Sequence, residues 1–243
     1  MASCAKSETN ASGVSDEAGA GIVAGGSVGV GSDAGVGAAA NNNDEASAAP
    51  SADAPPFAAQ SSAPSAAQFK ELFAAARSRG MPDSGLLVVV DVAAQKAFLY
   101  SKSGLAATYP VSTSKFGIGS DAGSNKTPLG WHKVTERFGD GKAAGTSFTS
   151  RRPDGEILPP SDWRSSKQKD YVLSRVLWLA GLEPGLNSGA QIDSHARCIY
   201  LHGTNQEHLL GQPASHGCIR FSNADIMELF ALAKKRELFC LIK

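Results

Sequence analysis

The sequence predicts a mainly β domain of the β-sandwich or barrel-like type, with one late helix and a disordered N-terminal tail. Three observations support this fold class. From residue 86 onwards, short runs of branched and aromatic residues recur between clusters of Gly, Ser and Pro. Within that region, the one clear helical pattern comes near the end of the chain. The first 67 residues contain few of the large apolar side chains from which a core is built.

The tail, residues 1–67, is low-complexity sequence. Alanine, glycine and serine occupy 40 of its positions, and Phe57 is its only aromatic residue. Such a segment cannot bury enough apolar surface to offset its ordering entropy, so we predict that it is a disordered tether. It carries one lysine and seven acidic residues, a net charge of −6. Because the whole chain is neutral, the remaining residues carry +6.

The start of the tail allows two interpretations of Cys4. Met1-Ala2-Ser3-Cys4 and the polar tract after it resemble the end of a bacterial lipoprotein signal, in which case the chain begins upstream and Cys4 carries a lipid. Otherwise Cys4 is a chance cysteine. Residues 1–12 lack the apolar segment of an ordinary signal peptide, and the longest apolar run, residues 86–90, is too short to span a bilayer. Membrane attachment is therefore expected only through Cys4.

The elements follow in order after the tail. Residues 68–85 are predicted as a short helix and linker, because apolar residues recur at helical spacing up to residue 79. Residues 86–243 form the main domain. Its first three strands are joined by tight turns, which indicates an antiparallel meander. The predicted strands are residues 86–92, 97–100, 105–111, 131–137, 171–179, 198–202, 219–221 and 237–243.

Two long loops and a helix lie between these strands. Residues 138–170, rich in Gly, Pro, Ser and charge, are predicted as a long excursion, and loops of this length are usually functional. Residues 181–196 form a second loop. Ser222 or Asn223 is predicted to cap a helix over residues 224–236.

The composition argues against two kinds of partner. The basic main domain suits an anionic polymer, but no Lys- or Arg-rich block with interleaved aromatic residues is present, so nucleic acid is not expected. A zinc site is the other interpretation of the cysteines and histidines. However, Cys198 and His202 lie roughly 13 Å apart on one extended strand and cannot share an ion. We expect neither a metal nor a cofactor. The candidate zinc ligands are His195, Cys198, His202, His208, His216 and Cys218.

One stretch near the carboxyl end carries the clearest chemistry. A thiol performs acyl transfer when a base takes its proton, and Cys218 has a candidate base in His202, at the end of the preceding strand. Gly217 permits a tight turn, and the N–H groups of Gly217 and Cys218 are expected to bind an oxyanion. Ser215 is expected to support the turn or to orient a histidine.

Two further residues in this stretch are candidates. Arg220 lies two residues past the thiol on the same strand face, so its guanidinium is placed to clamp a substrate carboxylate. His216 is nearer in sequence to Cys218 than His202 is, and it is the second candidate base. Sequence position by itself does not decide between the two histidines.

These motifs resemble the L,D-transpeptidase catalytic domain (YkuD-like) family of bacterial cell-wall enzymes, over about residues 86–243. The strongest match is His202-Gly203-Thr204 followed by Ser215-His216-Gly217-Cys218-Ile219-Arg220. The resemblance implies the L,D-transpeptidase catalytic fold. It also implies that Cys218 and His202 are catalytic, because the position of His216 can be Gln in related members. The supporting residues are Ser215, His216 and Gly217, and the expected substrate-binding residues are Arg220, Gly203 and Thr204.

The resemblance also implies the reaction. Cys218 would form an acyl-enzyme from the tetrapeptide stem of peptidoglycan, release D-Ala, and pass the acyl group to an acceptor amine. That amine belongs to another stem, giving a 3→3 cross-link, or to a lipoprotein. The alternatives are an L,D-carboxypeptidase or thiol hydrolase acting on stem peptides, and a non-catalytic cell-wall-binding module. The expected location is the periplasm or cell envelope, and acylation by a carbapenem is expected.

Overall fold

The computed structural model describes residues 63–165 and 169–243. Residues 1–62, which include Cys4 and nearly all of the predicted disordered tail, lie outside this part. The helices are α1 (Ala66–Ser78) and α2 (Asn223–Ala233). The strands are β1 (Leu86–Asp91), β2 (Lys96–Ser101), β3 (Gly104–Pro110), β4 (Gly130–Phe138), β5 (Thr146–Thr149), β6 (Arg152–Ile157), β7 (Val172–Gly181), β8 (Tyr200–Gly203), β9 (Ile219–Phe221) and β10 (Leu238–Ile242).

The strands form one sheet that closes on itself. Their order is β3-β2-β1-β10-β4-β7-β5-β6, with β8 beside β7 and β9 beside β8. Beyond β3, Ser112 pairs with Arg220 of β9 through backbone N–H···O bonds of 3.0 and 2.9 Å. This pairing connects the β3 end of the sheet to β9, so that β3-β2-β1-β10-β4-β7-β8-β9 closes into a barrel-like sheet and β5 and β6 form a branch from β7. The predicted mainly β, barrel-like fold with one late helix is confirmed.

Strand β1 is buried on both faces, which explains its near-continuous apolar sequence. Leu86, Val88 and Val90 face the main core, where α2 packs. Leu87 and Val89 face a second cluster with Phe73 and Ala76 of α1. Helix α1 therefore forms an outer layer over the sheet.

Most predicted elements are confirmed, with three differences. The 138–170 excursion contains the β5–β6 hairpin. Strand β8 begins at Tyr200 rather than at Cys198, because Cys198 has a left-handed φ of 57°. Helix α1 begins at Ala66, because Ser65 forms a capping box with Gln68. Within the described residues, no helix is both long and apolar enough to cross a membrane.

The cap of α2 gives a test of local stability. The Ser222 hydroxyl accepts a hydrogen bond from the Asp225 N–H at 3.0 Å. Ser222→Ala is expected to lower the free energy of unfolding by about 1 kcal/mol, because that N–H loses its partner. Urea denaturation measures the loss. Ser222→Asp retains a capping oxygen and should remain close to wild type; equal losses for the two variants would contradict the capping role.

Candidate active site

Cys218 follows a tight turn that leads into β9. The Ser215 hydroxyl donates to the Cys218 carbonyl oxygen at 2.6 Å and accepts from the Gly217 N–H at 3.2 Å. Gly217 has a φ of 123°, which a residue with a side chain rarely adopts, and Thr127 Oγ1 donates to its carbonyl at 2.9 Å. The turn thus fixes the backbone of Cys218. Of the two N–H groups expected to bind an oxyanion, that of Gly217 is engaged within the turn.

The Cys218 thiol is half-buried against the start of β8. It donates to the Cys198 carbonyl at 3.3 Å, and the Tyr200 N–H donates to Sγ at 3.4 Å. Burial raises the pKa of Cys218 to about 11, although the Tyr200 N–H acts in the opposite direction. At neutral pH the resting sulfur is therefore a protonated thiol, and nucleophilic attack requires a base.

His202 has the protonation state of a general base. Its ring is buried, with Nδ1 2.7 Å from the Gly203 carbonyl oxygen. A carbonyl oxygen only accepts hydrogen bonds, so Nδ1 carries the proton and Nε2 holds a lone pair. Burial lowers the pKa of His202 to about 4, against the opposing effect of the Gly203 bond. The ring is therefore neutral at neutral pH, with Nε2 able to accept a proton.

The strands bring thiol and imidazole to one face of the sheet. Strands β8 and β9 run parallel in a register that sets Cys218 beside Tyr200. His202 is two residues further along β8, roughly 6.6 Å away along the strand, and on the same face. The sulfur's two hydrogen bonds go to Cys198 and Tyr200, and within the described residues none joins it to the imidazole. A hydrogen bond between the thiol and the imidazole thus requires a side-chain movement.

Arg220 is paired with a carboxylate of the chain itself. Its side chain is 1% exposed, Nη2 pairs with Asp170 Oδ2, and Nη1 donates to Gln206 Oε1 at 2.9 Å. His216 is 48% exposed, and its Nδ1 lies 3.5 Å from the same Asp170 oxygen. The guanidinium expected to clamp a substrate carboxylate is thus occupied by Asp170 in this structure. His216 lies at the surface beside it.

Gly203 and Thr204, expected to bind substrate, are both buried. A Cβ at Gly203 would lie 2.5 Å from Asn223 Oδ1 and 2.8 Å from the Leu173 carbonyl oxygen. The Thr204 carbonyl accepts from Asn223 Nδ2 at 2.7 Å. These contacts join β8 to the start of α2. The two residues therefore support His202 and do not reach the surface of the site.

Three residues near Cys218 were not predicted to belong to the site. Tyr200 shares the strand face of His202, a signal that the period of two along β8 contains. Asp170 and Arg197 lie in loops, whose approach to Cys218 no spacing predicts. Arg197 donates to the Lys126 carbonyl at 2.7 Å, and its charge acts on the Cys218 thiol.

Two of the candidate zinc ligands make other contacts that the structure shows. The His195 ring stacks on Trp178, with centroids 3.7 Å apart, while His202 bonds Gly203. Across residues 63–165 and 169–243, no group of three or more His, Cys, Asp or Glu side chains is arranged to hold a metal ion.

One protein-family model matches the chain. The family model of the L,D-transpeptidase catalytic domain (YkuD) matches residues 86–238. The search of curated proteins finds no match.

Several solved structures resemble the chain at low identity. An L,D-transpeptidase from Mycobacterium smegmatis is 17% identical with a TM-score of 0.34, over 65% of this chain and 58% of that chain. L,D-transpeptidase 3 from Mycobacterium tuberculosis, in complex with a faropenem-derived adduct, is 14% identical with a TM-score of 0.39, over 65% and 60%. An L,D-transpeptidase from Xylanimonas cellulosilytica is 19% identical with a TM-score of 0.34, over 71% and 69%. The chain spans less than two thirds of the length of the two mycobacterial structures.

Proposed function

Because the chain belongs to the L,D-transpeptidase catalytic domain family, we propose that it is a peptidoglycan L,D-transpeptidase with Cys218 as nucleophile and His202 as base. The family assignment confirms the resemblance drawn from the His-Gly-Thr and Ser-His-Gly-Cys motifs. The observation that carries the proposal is the placement of the Cys218 thiol on the same strand face as His202, whose Nδ1 donates to the Gly203 carbonyl and leaves Nε2 able to accept a proton. Burial favours the protonated thiol and the neutral imidazole, which agrees with these roles.

In the first half-reaction, Cys218 attacks the carbonyl that joins the third stem residue to the terminal D-Ala. The thiol turns from the Cys198 carbonyl towards His202, and its proton passes to Nε2 as the S–C bond forms. The Cys218 N–H contributes to binding the oxyanion. The proton then passes to the D-Ala nitrogen as the C–N bond breaks, which leaves a thioester on Cys218.

In the second half-reaction, an acceptor amine attacks the thioester. The N–C bond forms, the C–S bond breaks, and His202 transfers the amine proton to the departing sulfur, which restores the thiol. The acceptor is the amine of a second stem or a lysine of a lipoprotein. Since peptidoglycan lies in the cell envelope, the protein acts there, and in a bacterium with an outer membrane that place is the periplasm. A lipid on Cys4 would hold it at the membrane.

Incubation with a disaccharide tetrapeptide tests the proposal. Mass spectrometry should detect a cross-linked dimer and free D-Ala, with Cys218→Ala as the inactive control. Tripeptide and D-Ala without dimer would instead indicate the carboxypeptidase or hydrolase activity. No product, together with retained binding to sacculi, would indicate a wall-binding module. A carbapenem should also add mass at Cys218, and a wild-type protein that gains none would contradict the assignment of the nucleophile.

A further inference from the structure

One buried hydroxyl holds the peptide group that precedes Cys218. Thr127 Oγ1 donates to the Gly217 carbonyl at 2.9 Å, and Thr127 is fully buried. The same oxygen accepts the Ser114 N–H at 3.0 Å, so the single proton of the hydroxyl is the one that goes to Gly217. The Gly217 carbonyl and the Cys218 N–H belong to one peptide group. The hydroxyl therefore contacts the group that carries the expected oxyanion donor.

The direction of this carbonyl fixes the direction of the N–H. Within the described residues every peptide bond is trans, and a planar trans peptide directs its carbonyl and its N–H to opposite sides. Gly217, with a φ of 123°, permits the turn but does not hold it, because glycine populates many backbone conformations. The Thr127 hydroxyl supplies a contact that resists rotation of the peptide group, and so it determines where the Cys218 N–H points.

Thr127 is itself held at both of its peptide groups. Its N–H donates to the Gly117 carbonyl at 3.0 Å, and its carbonyl accepts the Gly119 N–H at 2.9 Å. Arg197 holds the same loop, because Nη2 donates to the Lys126 carbonyl at 2.7 Å and Nη1 to the Gly119 carbonyl at 3.2 Å. The hydroxyl thus extends from a fixed backbone, which allows it to orient its partner.

We propose that Thr127 is a positioning residue that orients the Cys218 N–H as the oxyanion donor. This inference rests on the proposed function, because it concerns the intermediate formed when Cys218 attacks a carbonyl. A donor stabilises an oxyanion best when it is already directed at the place where the charge develops. Since Thr127 is buried, it acts through the peptide group and does not touch the substrate.

Two reactions of the same sulfur separate orientation from reactivity. With p-nitrophenyl acetate, the S–C bond forms, the carbonyl oxygen passes through an oxyanion, and the C–O bond to nitrophenolate then breaks. With iodoacetamide, the S–C bond forms as the C–I bond breaks and iodide leaves, so no oxyanion arises. The thiol proton is lost in both reactions. The ratio of the two rate constants, each corrected for the rate with Cys218→Ala, therefore reports oxyanion stabilisation apart from the reactivity of the thiol.

Thr127→Val removes the hydroxyl and retains the branched shape. Its acylation rate constant is expected to fall about tenfold or more, whereas its alkylation rate constant should change less than about threefold. Thr127→Ser retains the hydroxyl and should keep the wild-type ratio. If circular dichroism shows that Thr127→Val is unfolded, Thr127→Ala gives the same comparison, because it places no methyl group beside the Gly217 carbonyl. An unchanged ratio in the folded variant that lacks the hydroxyl would overturn the proposal.

Thr146→Val is the matched control. Thr146 is also buried, and its Oγ1 donates to the Ala143 carbonyl at 2.8 Å. The control therefore loses a comparable hydrogen bond, but one that does not involve the Gly217 carbonyl. Its ratio should equal that of the wild type. If Thr146→Val lowers the ratio as much as Thr127→Val does, the effect is a general consequence of lost hydrogen bonding and the role of Thr127 is refuted.

Kinetics with the tetrapeptide connect this inference to the proposed reaction. In Thr127→Val, kcat for D-Ala release should fall with the acylation rate constant, while KM changes less than about twofold, because the hydroxyl does not bind substrate. A wild type that is acylated by the ester but releases no D-Ala would contradict the proposed reaction alone, and the comparison of ratios would still hold. D-Ala release by a wild type whose ratio equals that of Thr127→Val would contradict the role of Thr127 alone.

Discussion

Replacing His202 with alanine is expected to slow the acylation of Cys218 by about two to four orders of magnitude at pH 7. The physical reason is the raised pKa of the Cys218 thiol, about 11, which leaves very little thiolate without a base. His202 is neutral at this pH and holds its Nε2 lone pair on the face of the thiol. Stopped-flow measurement of carbapenem acylation gives the rate directly.

The pH dependence of that rate is a second signature. With the pKa of His202 near 4 and that of Cys218 near 11, the reactive pair of neutral imidazole and thiol is the main form throughout pH 6–9. The wild-type acylation rate should therefore be nearly flat there. In His202→Ala only the thiolate reacts, so the rate should rise about tenfold per pH unit. If the wild type shows the same slope as the variant, His202 is not the base.

His216→Gln is the matched control for the base. His216 is half exposed and contacts Asp170, whereas the sulfur's hydrogen bonds go to Cys198 and Tyr200. This variant should lose much less activity than His202→Ala and keep the flat pH profile. The opposite ranking of the two variants would transfer the role of base to His216.

Replacing Asp170 with alanine is expected to lower the free energy of unfolding by about 2–3 kcal/mol. Arg220 is 1% exposed, and Asp170 supplies the carboxylate that pairs with its Nη2. Removal of that carboxylate leaves a buried guanidinium with Gln206 as its hydrogen-bonded partner. A charge held away from water without compensation is strongly unfavourable, and the folded state bears that cost.

An exposed ion pair is the control for this loss. Asp140 pairs with Lys234 at 2.7 Å, but their side chains are 63% and 47% exposed. Asp140→Ala should therefore lower the free energy of unfolding much less than Asp170→Ala does. Asp170→Asn retains an acceptor for Arg220 and should fall between the two alanine variants. Guanidinium denaturation measures all three. A loss for Asp170→Ala no greater than that for Asp140→Ala would show that Arg220 does not depend on this carboxylate.

Much of the fold could be predicted from local patterns. The apolar run of β1, the three-strand meander and the amphipathic α2 each depend on the spacing of residues close together in the chain. The candidate nucleophile could also be predicted, because the Ser-His-Gly-Cys turn and the histidine near the end of the preceding strand lie close together in the chain. The two-residue period along β8 placed His202 on the same strand face as Tyr200.

Only the tertiary structure decided which charged groups meet. Asp170 and Arg220 are 50 residues apart, and Arg151 and Tyr200 are 49 residues apart. Ser and Arg rarely adopt left-handed φ values, so the residue types do not predict the turn at Ser150 and Arg151. Periodicity reports which face of an element is apolar, and it carries no information on the path of an irregular loop. The amino-acid sequence by itself therefore predicted most of the elements and supplied the candidate nucleophile. The closure of the barrel and the packing of its loops determined the surroundings of that candidate, because those contacts join segments far apart in the chain.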